Sequence, residues 1–144
     1  MSTEQMRTTA RSPRANPETL RLRRVSPSLT VGDIGTSLKF YRDTLGFLVD
    51  EIWEQEGRRV GAALIAGSVQ LMLTLDDGAR GADRTKGDGF RLHLTTVQNV
   101  DDLAARVEKR GCTLEARPAD APWGGRAFTV VDPDGFRLTI ASEA

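Results

Sequence analysis

Four kinds of side chain in this sequence have the chemistry to act on a small molecule: one imidazole, one thiol, two indoles and a few charged groups beside them. His93 is the single histidine, so general acid–base work near neutral pH has few other carriers. Cys112 is the single cysteine; it follows Gly111 in a modestly apolar stretch with no base beside it, and reads as a buried or half-buried structural thiol. Trp53 sits in an alternating segment, and Trp123 in the loop Pro122-Trp123-Gly124-Gly125, where a large exposed indole needs a reason to stand. Flat indole faces stack on planar ligands for about 0.5–1.5 kcal/mol each beyond area burial. Glu51 shares the alternation of Trp53 and could meet a cationic ligand, while Arg126 could pair with an anionic one. Asp132 and Asp134 stand two apart, yet Asp-Pro-Asp-Gly is turn chemistry and not a catalytic carboxylate pair.

Other chemistries are excluded. No phosphate-cradling Gly-rich loop, His-Glu-x-x-His helix or Gly-x-Ser-x-Gly elbow occurs. Lys and Arg total 20 against 20 Asp and Glu, so no net charge draws the chain to nucleic acid. The apolar runs fall far short of the roughly 20 residues of a membrane helix. One cysteine precludes an internal disulfide and suits the reducing cytoplasm, the expected location.

The elements that position these residues follow from periodicity. At 144 residues, 39% hydrophobic, the chain is long enough to bury a core as one domain. Residues 1–24 hold six arginines against two glutamates, with Pro13 and Pro17 barring a helix, and read as a flexible arginine-rich tail. A first module spans about 25–75. Ser28–Val31 is strand-like, Ile34, Leu38, Tyr41 and Leu45 share one helical face closed by Gly46, and three alternating segments follow at 47–53, 60–65 and 69–73. Residues 76–89, rich in Gly and Asp, form a flexible linker without the ligand spacing of a calcium loop. A second module, about 90–142, repeats the order: a strand from Phe90 to Val97, a helix from Val100 to Gly111, a short strand over Thr113–Ala116, and a hairpin around Asp132–Gly135. Asp33 and Asn99 stand where helix caps are expected. The sequence thus predicts an α+β chain of two βαβββ modules.

The stretches LTVGDIGTSLKFYRDTLGF (29–47), GSVQLML (67–73), TTVQNVDDLAARVEKRG (95–111) and PWGGRAFTVVDPDGFRLTI (122–140) resemble the vicinal oxygen chelate superfamily of glyoxalase I, extradiol dioxygenases, fosfomycin-modifying enzymes and bleomycin-resistance proteins. The resemblance covers about 25–142. It implies that each module curls its sheet into a half-barrel, and that paired halves close a cavity in a homodimer. It also implies four positions for His or Glu metal ligands, which here hold Ser26, Met72, Leu92 and Thr139. None of these side chains is a good ligand for a divalent ion. His93 lies one residue beyond the expected position, so a regular strand turns it to the opposite face, and Gln70 is a weak neutral ligand.

The chain is therefore closest to the metal-free bleomycin-resistance-like branch, with no metal and no cofactor expected. The ligand-binding residues expected are Ser26, Glu51, Trp53, Met72, Phe90, Trp123, Arg126, Phe128 and Thr139. The function expected is binding and sequestration of a small antibiotic-like molecule, aromatic or glycopeptide. Whether the chain is also an enzyme is left open: a lyase, isomerase or hydrolase would depend on His93, and metal-dependent glyoxalase or dioxygenase chemistry is the remaining alternative.

Overall fold

The structure, a computed structural model, describes residues 20–81 and 84–143; residues 1–19 of the arginine-rich segment lie outside them. The first module runs β1 (Ser28–Val31), α1 (Ile34–Leu38) passing into a π-helical stretch (Lys39–Leu45), β2 (Leu48–Gln55), β3 (Arg58–Ala66) and β4 (Val69–Leu75). The second runs β5 (Arg91–Thr96), α2 (Val100–Lys109), β6 (Ala116–Asp120), β7 (Arg126–Val131) and β8 (Arg137–Ser142). Both helices start as their caps dictate. The Asp33 carboxylate accepts from the Thr36 amide at 2.8 Å and Asn99 Oδ1 from the Asp102 amide at 2.9 Å, each satisfying a donor that the first helical turn leaves free.

Two elements depart from the periodicity. The helix that begins at Ile34 widens after Leu38, and the amides of Gly46 and Phe47 both donate to the Tyr41 carbonyl, at 3.0 and 2.8 Å. The wide turn leaves Tyr41 fully buried, edge-on to Phe40 and Phe47 with ring centroids 5.1 and 5.7 Å apart. The short strand expected over Thr113–Ala116 forms later, at Ala116–Asp120. Leu114 is drawn into the core instead, and β6 tolerates Pro118 because it is an edge strand with a register shift between Ala116 and Ala119.

Each module folds into a four-stranded sheet with the same topology, β1-β4-β3-β2 and β5-β8-β7-β6. The outer pair β1·β4 and its counterpart β5·β8 are parallel, and the other neighbours antiparallel. Leu29, Val31, Leu64, Leu71 and Leu73 of the first sheet join Phe128, Val130 and Leu138 of the second, with Ile34, Leu38, Val100 and Val107 from the helices, in a single cluster. Burial of each such side chain contributes roughly 1.5–3 kcal/mol. The two sheets thus share one core on their helix-bearing sides and leave their opposite faces open.

The Asp132-Pro133-Asp134-Gly135 turn does more than reverse the chain. Asp132 is buried and accepts from the amides of Asp134 and Phe136 at 2.9 and 2.8 Å, and from the Tyr41 hydroxyl at 2.7 Å. Burial raises the carboxyl pKa against these three donors, and the same burial, with Asp132 beside it, pushes the Tyr41 phenol up. Asp134 accepts from the Gly32 amide at 2.8 Å and from Lys86, whose ammonium also lies 3.0 Å from Asp76. The turn therefore latches the start of α1 to the second module. It also holds the end of the linker, where a Cβ on Gly87 would overlap the Gly135 carbonyl.

Candidate functional site

Strand alternation sends the core residues to one side of each sheet and the site residues to the other. In the first sheet Ser28, Met72, Ala63 and Glu51 are mutual register partners across all four strands, and Thr30, Thr74, Gly61 and Trp53 form the next row. Ser26, just before β1, donates its hydroxyl to Gln70 Oε1 at 2.9 Å. The open face of the first sheet therefore brings together four of the predicted residues: Ser26, Glu51, Trp53 and Met72. Trp53 remains 37% exposed and lies over Gly61, where a Cβ would stand 3.1 Å from the indole Cε3. A glycine at that place lets the indole lie flat against β3.

The second sheet corrects the reading of Leu92 and His93. Leu92 pairs with Leu138 and packs against the core; His93 pairs with Thr139, and Thr139 with Thr129, on the open face. The reason is one residue of loop. Gly32 and Asp33 separate β1 from α1, whereas Val97, Gln98 and Asn99 separate β5 from α2, so counting back from the helix arrives one residue short and on the wrong face.

Three further residues named from the sequence stand away from these open faces. Phe128 is 1% exposed within the core, paired with Ile140, and lines no open face. Phe90 stands before β5 and packs edge-on to the core ring of Phe136, with centroids 5.8 Å apart. Arg126 turns to the helix side, where it clamps Asp101 of α2 through two 2.9 Å bonds and reaches Asp120 at 3.1 Å. Its charge is compensated there, and the Asp101 carboxyl is held below its ordinary range by the same contact.

Trp123 does reach the open face. Its loop closes where the Ala121 amide donates to the Gly125 carbonyl at 2.8 Å and the Gly124 amide to the Ala121 carbonyl at 3.0 Å, and Gly124 and Gly125 both have left-handed backbones (φ 101° and 77°). Gly125 also presses on the end of β8, where a Cβ would sit 2.8 Å from Ser142 Oγ. The indole, 62% exposed, leans on His93 with ring centroids 5.5 Å apart at 69°.

Beside this pair, Thr139, 4% exposed, shares a 3.0 Å hydroxyl contact with Thr129 and accepts from Arg91 Nη1 at 3.3 Å. Sequence reasoning passed over Arg91, and its signal was available: it is two residues from His93 on the same strand, hence on the same face.

These groups do not fit the divalent ion that the fold family implies. Among the described residues no three His, Cys, Asp or Glu side chains are placed to hold one. On the second sheet the His93 imidazole would have only the Thr139 hydroxyl beside it, which already accepts from the Arg91 guanidinium, a cation set against a second cation. On the first sheet the donors are Ser26, Gln70 and the Met72 thioether, with Glu51 the single carboxylate of its row. Cys112 is half-buried, and burial together with Glu108 pushes its thiol up, which suits an unreactive side chain. A cleft of about 320 Å³ at the start of α1, lined by Asp33, Arg58 and Arg59, contains neither tryptophan. No helix among the described residues is long and apolar enough to cross a membrane.

Residues 21–140 match the family model of the glyoxalase/bleomycin resistance protein/dioxygenase superfamily. Among solved structures, the chain is similar to TnmS3, an antibiotic binding protein from Streptomyces sp. CB03234 (25% identity, TM-score 0.67, 87% of this chain and 99% of that one). It is also similar to a member of the same superfamily from Sphaerobacter thermophilus (27%, TM-score 0.63, 86% and 100%) and to a glyoxalase-related enzyme from Fulvimarina pelagi (22%, TM-score 0.67, 85% and 89%). No curated protein matches. With two βαβββ modules and a family match over most of its length, the chain belongs to the glyoxalase/bleomycin resistance protein/dioxygenase superfamily.

Proposed function

We propose that this protein is a metal-free small-molecule-binding protein of that superfamily, working in the cytoplasm as a homodimer that sequesters an antibiotic-like compound. The observation that carries the reading is the placement of the two tryptophans: Trp53 over Gly61 on one open sheet face, Trp123 against His93 on the other. An indole held half in water by a glycine platform or a double-glycine loop contributes little to the shared core, whereas two such surfaces suit a planar or glycopeptide ligand. The likeness to TnmS3, described as an antibiotic binding protein, supports the same reading. Because both faces are open in the single chain, a second copy is the partner that closes them into a cavity.

A titration of intrinsic tryptophan fluorescence with a bleomycin-type glycopeptide and with a planar anthraquinone tests the proposal. A saturable change with one of them, weakened by Trp53→Phe or Trp123→Phe, is expected. No saturable change with either, or a change that both variants leave intact, overturns it.

A second reading, an enzyme of the same fold acting as a lyase, isomerase or hydrolase, draws on one observation: His93 and Arg91 share an exposed face beside Thr139. For a substrate found to turn over, His93→Ala should abolish activity; turnover that survives the change removes His93 from that role.

A further inference from the structure

Resting on the small-molecule-binding reading, we infer that the open face of the second sheet carries a subsite for an anionic oxygen borne on a planar aromatic ring, with Arg91 as the anion receptor. Arg117, Arg126 and Arg137 each form an ion pair with a nearby carboxylate, at 2.9, 2.9 and 2.7 Å. Among the described residues Arg91 has no ion pair and one side-chain hydrogen bond, the 3.3 Å bond to Thr139 Oγ1. That contact anchors it, because Thr139 is itself tied to Thr129 at 3.0 Å in the middle of the sheet. The guanidinium is thus fixed at one nitrogen and free at the others, which is what bidentate carboxylate recognition needs. Arg137, its register partner on β8, adds a second cation in the same row, though its charge is spent on Glu115.

The spacing sets the ligand class. Arg91 and His93 lie two residues apart on one strand face, roughly 7 Å at the strand rise. That span matches an aromatic ring resting against the His93–Trp123 pair with a carboxylate or phenolate extending to Arg91. The carboxylate beside this row, Glu115, is engaged by Arg137, and the Thr129 and Thr139 hydroxyls are bonded to each other and to Arg91, so the face favours an anionic over a cationic ligand head.

Calorimetric titration of the full chain with 2-naphthoate and with its neutral isostere 2-naphthamide isolates the charge. Naphthoate should bind at least tenfold more tightly than naphthamide. Arg91→Gln should reduce naphthoate to the affinity of naphthamide while leaving naphthamide unchanged, which also shows that the variant is folded. Arg59→Gln, in the cleft at the start of α1, should change neither. Equal binding of the two probes, or naphthoate binding unaffected by Arg91→Gln, overturns the anion subsite and leaves the aromatic-binding reading standing. Binding of neither probe overturns the anion subsite, while the small-molecule-binding reading stands or falls on the tryptophan titration with the glycopeptide and the anthraquinone.

Discussion

Asp76 accepts a 2.8 Å bond from the Gly78 amide and lies 3.0 Å from the Lys86 ammonium, and these two contacts hold its carboxyl down at about 2, from an ordinary value of 3.8. A carboxylate with a lowered folded-state pKa adds stability above the ordinary value, and that contribution is lost as pH falls from 3.8 through about 2. A carboxyl-detected NMR titration should place the Asp76 midpoint near 2. In Lys86→Met it should rise but stay below 3.8, since the larger cause, the Gly78 amide, remains. A wild-type midpoint at the ordinary value, or one that ignores the loss of Lys86, contradicts this. At this scale the sequence was only partly readable. Glu51 and Trp53 share the open face with Met72 only because a register shift between Val49 and Glu51 turns them away from core-packed Val49, which the alternation alone did not show. His93 was misplaced because face assignment depends on a single loop residue, and Arg126 because its partner Asp101 belongs to a helix that only tertiary packing brings near.

Caps at Asp33 and Asn99 and the Gly46 terminator were legible because they are local hydrogen-bond and backbone chemistry. The π-helical widening and the late start of β6 were not, since each answers to packing, the first around Tyr41 and the second around Leu114. The loop carrying Trp123 joins both kinds of cause: its double glycine is visible in sequence, but the reason for it is the approach to Ser142. Gly125→Ala should therefore displace the loop, and the ring-current shift that Trp123 imposes on His93 should vanish. Gly57→Ala, also at positive φ (76°) but with open space around the missing Cβ, should cost only about 1 kcal/mol of backbone strain and leave that shift intact. Equal behaviour of the two variants would show that contact with β8 does not position Trp123.

For the whole molecule, the common core and the latch from Tyr41 and Gly32 to Asp132 and Asp134 tie two similar modules into one body with two open sheet faces. That repeat was visible in the sequence, because the order strand, helix, three strands recurs and both helices begin with a cap. Which faces would be left open was not, because it depends on which sides of the sheets meet. The proposed function requires a second copy to close these faces over an organic ligand without a metal. Native mass spectrometry of the untagged protein as it leaves the cell tests it most directly, reporting subunit number, metal and retained ligand together. The prediction is a dimer of the 15.7 kDa chain, free of divalent metal and carrying or accepting an organic mass. A monomer, or a dimer holding one divalent ion per subunit, would contradict it.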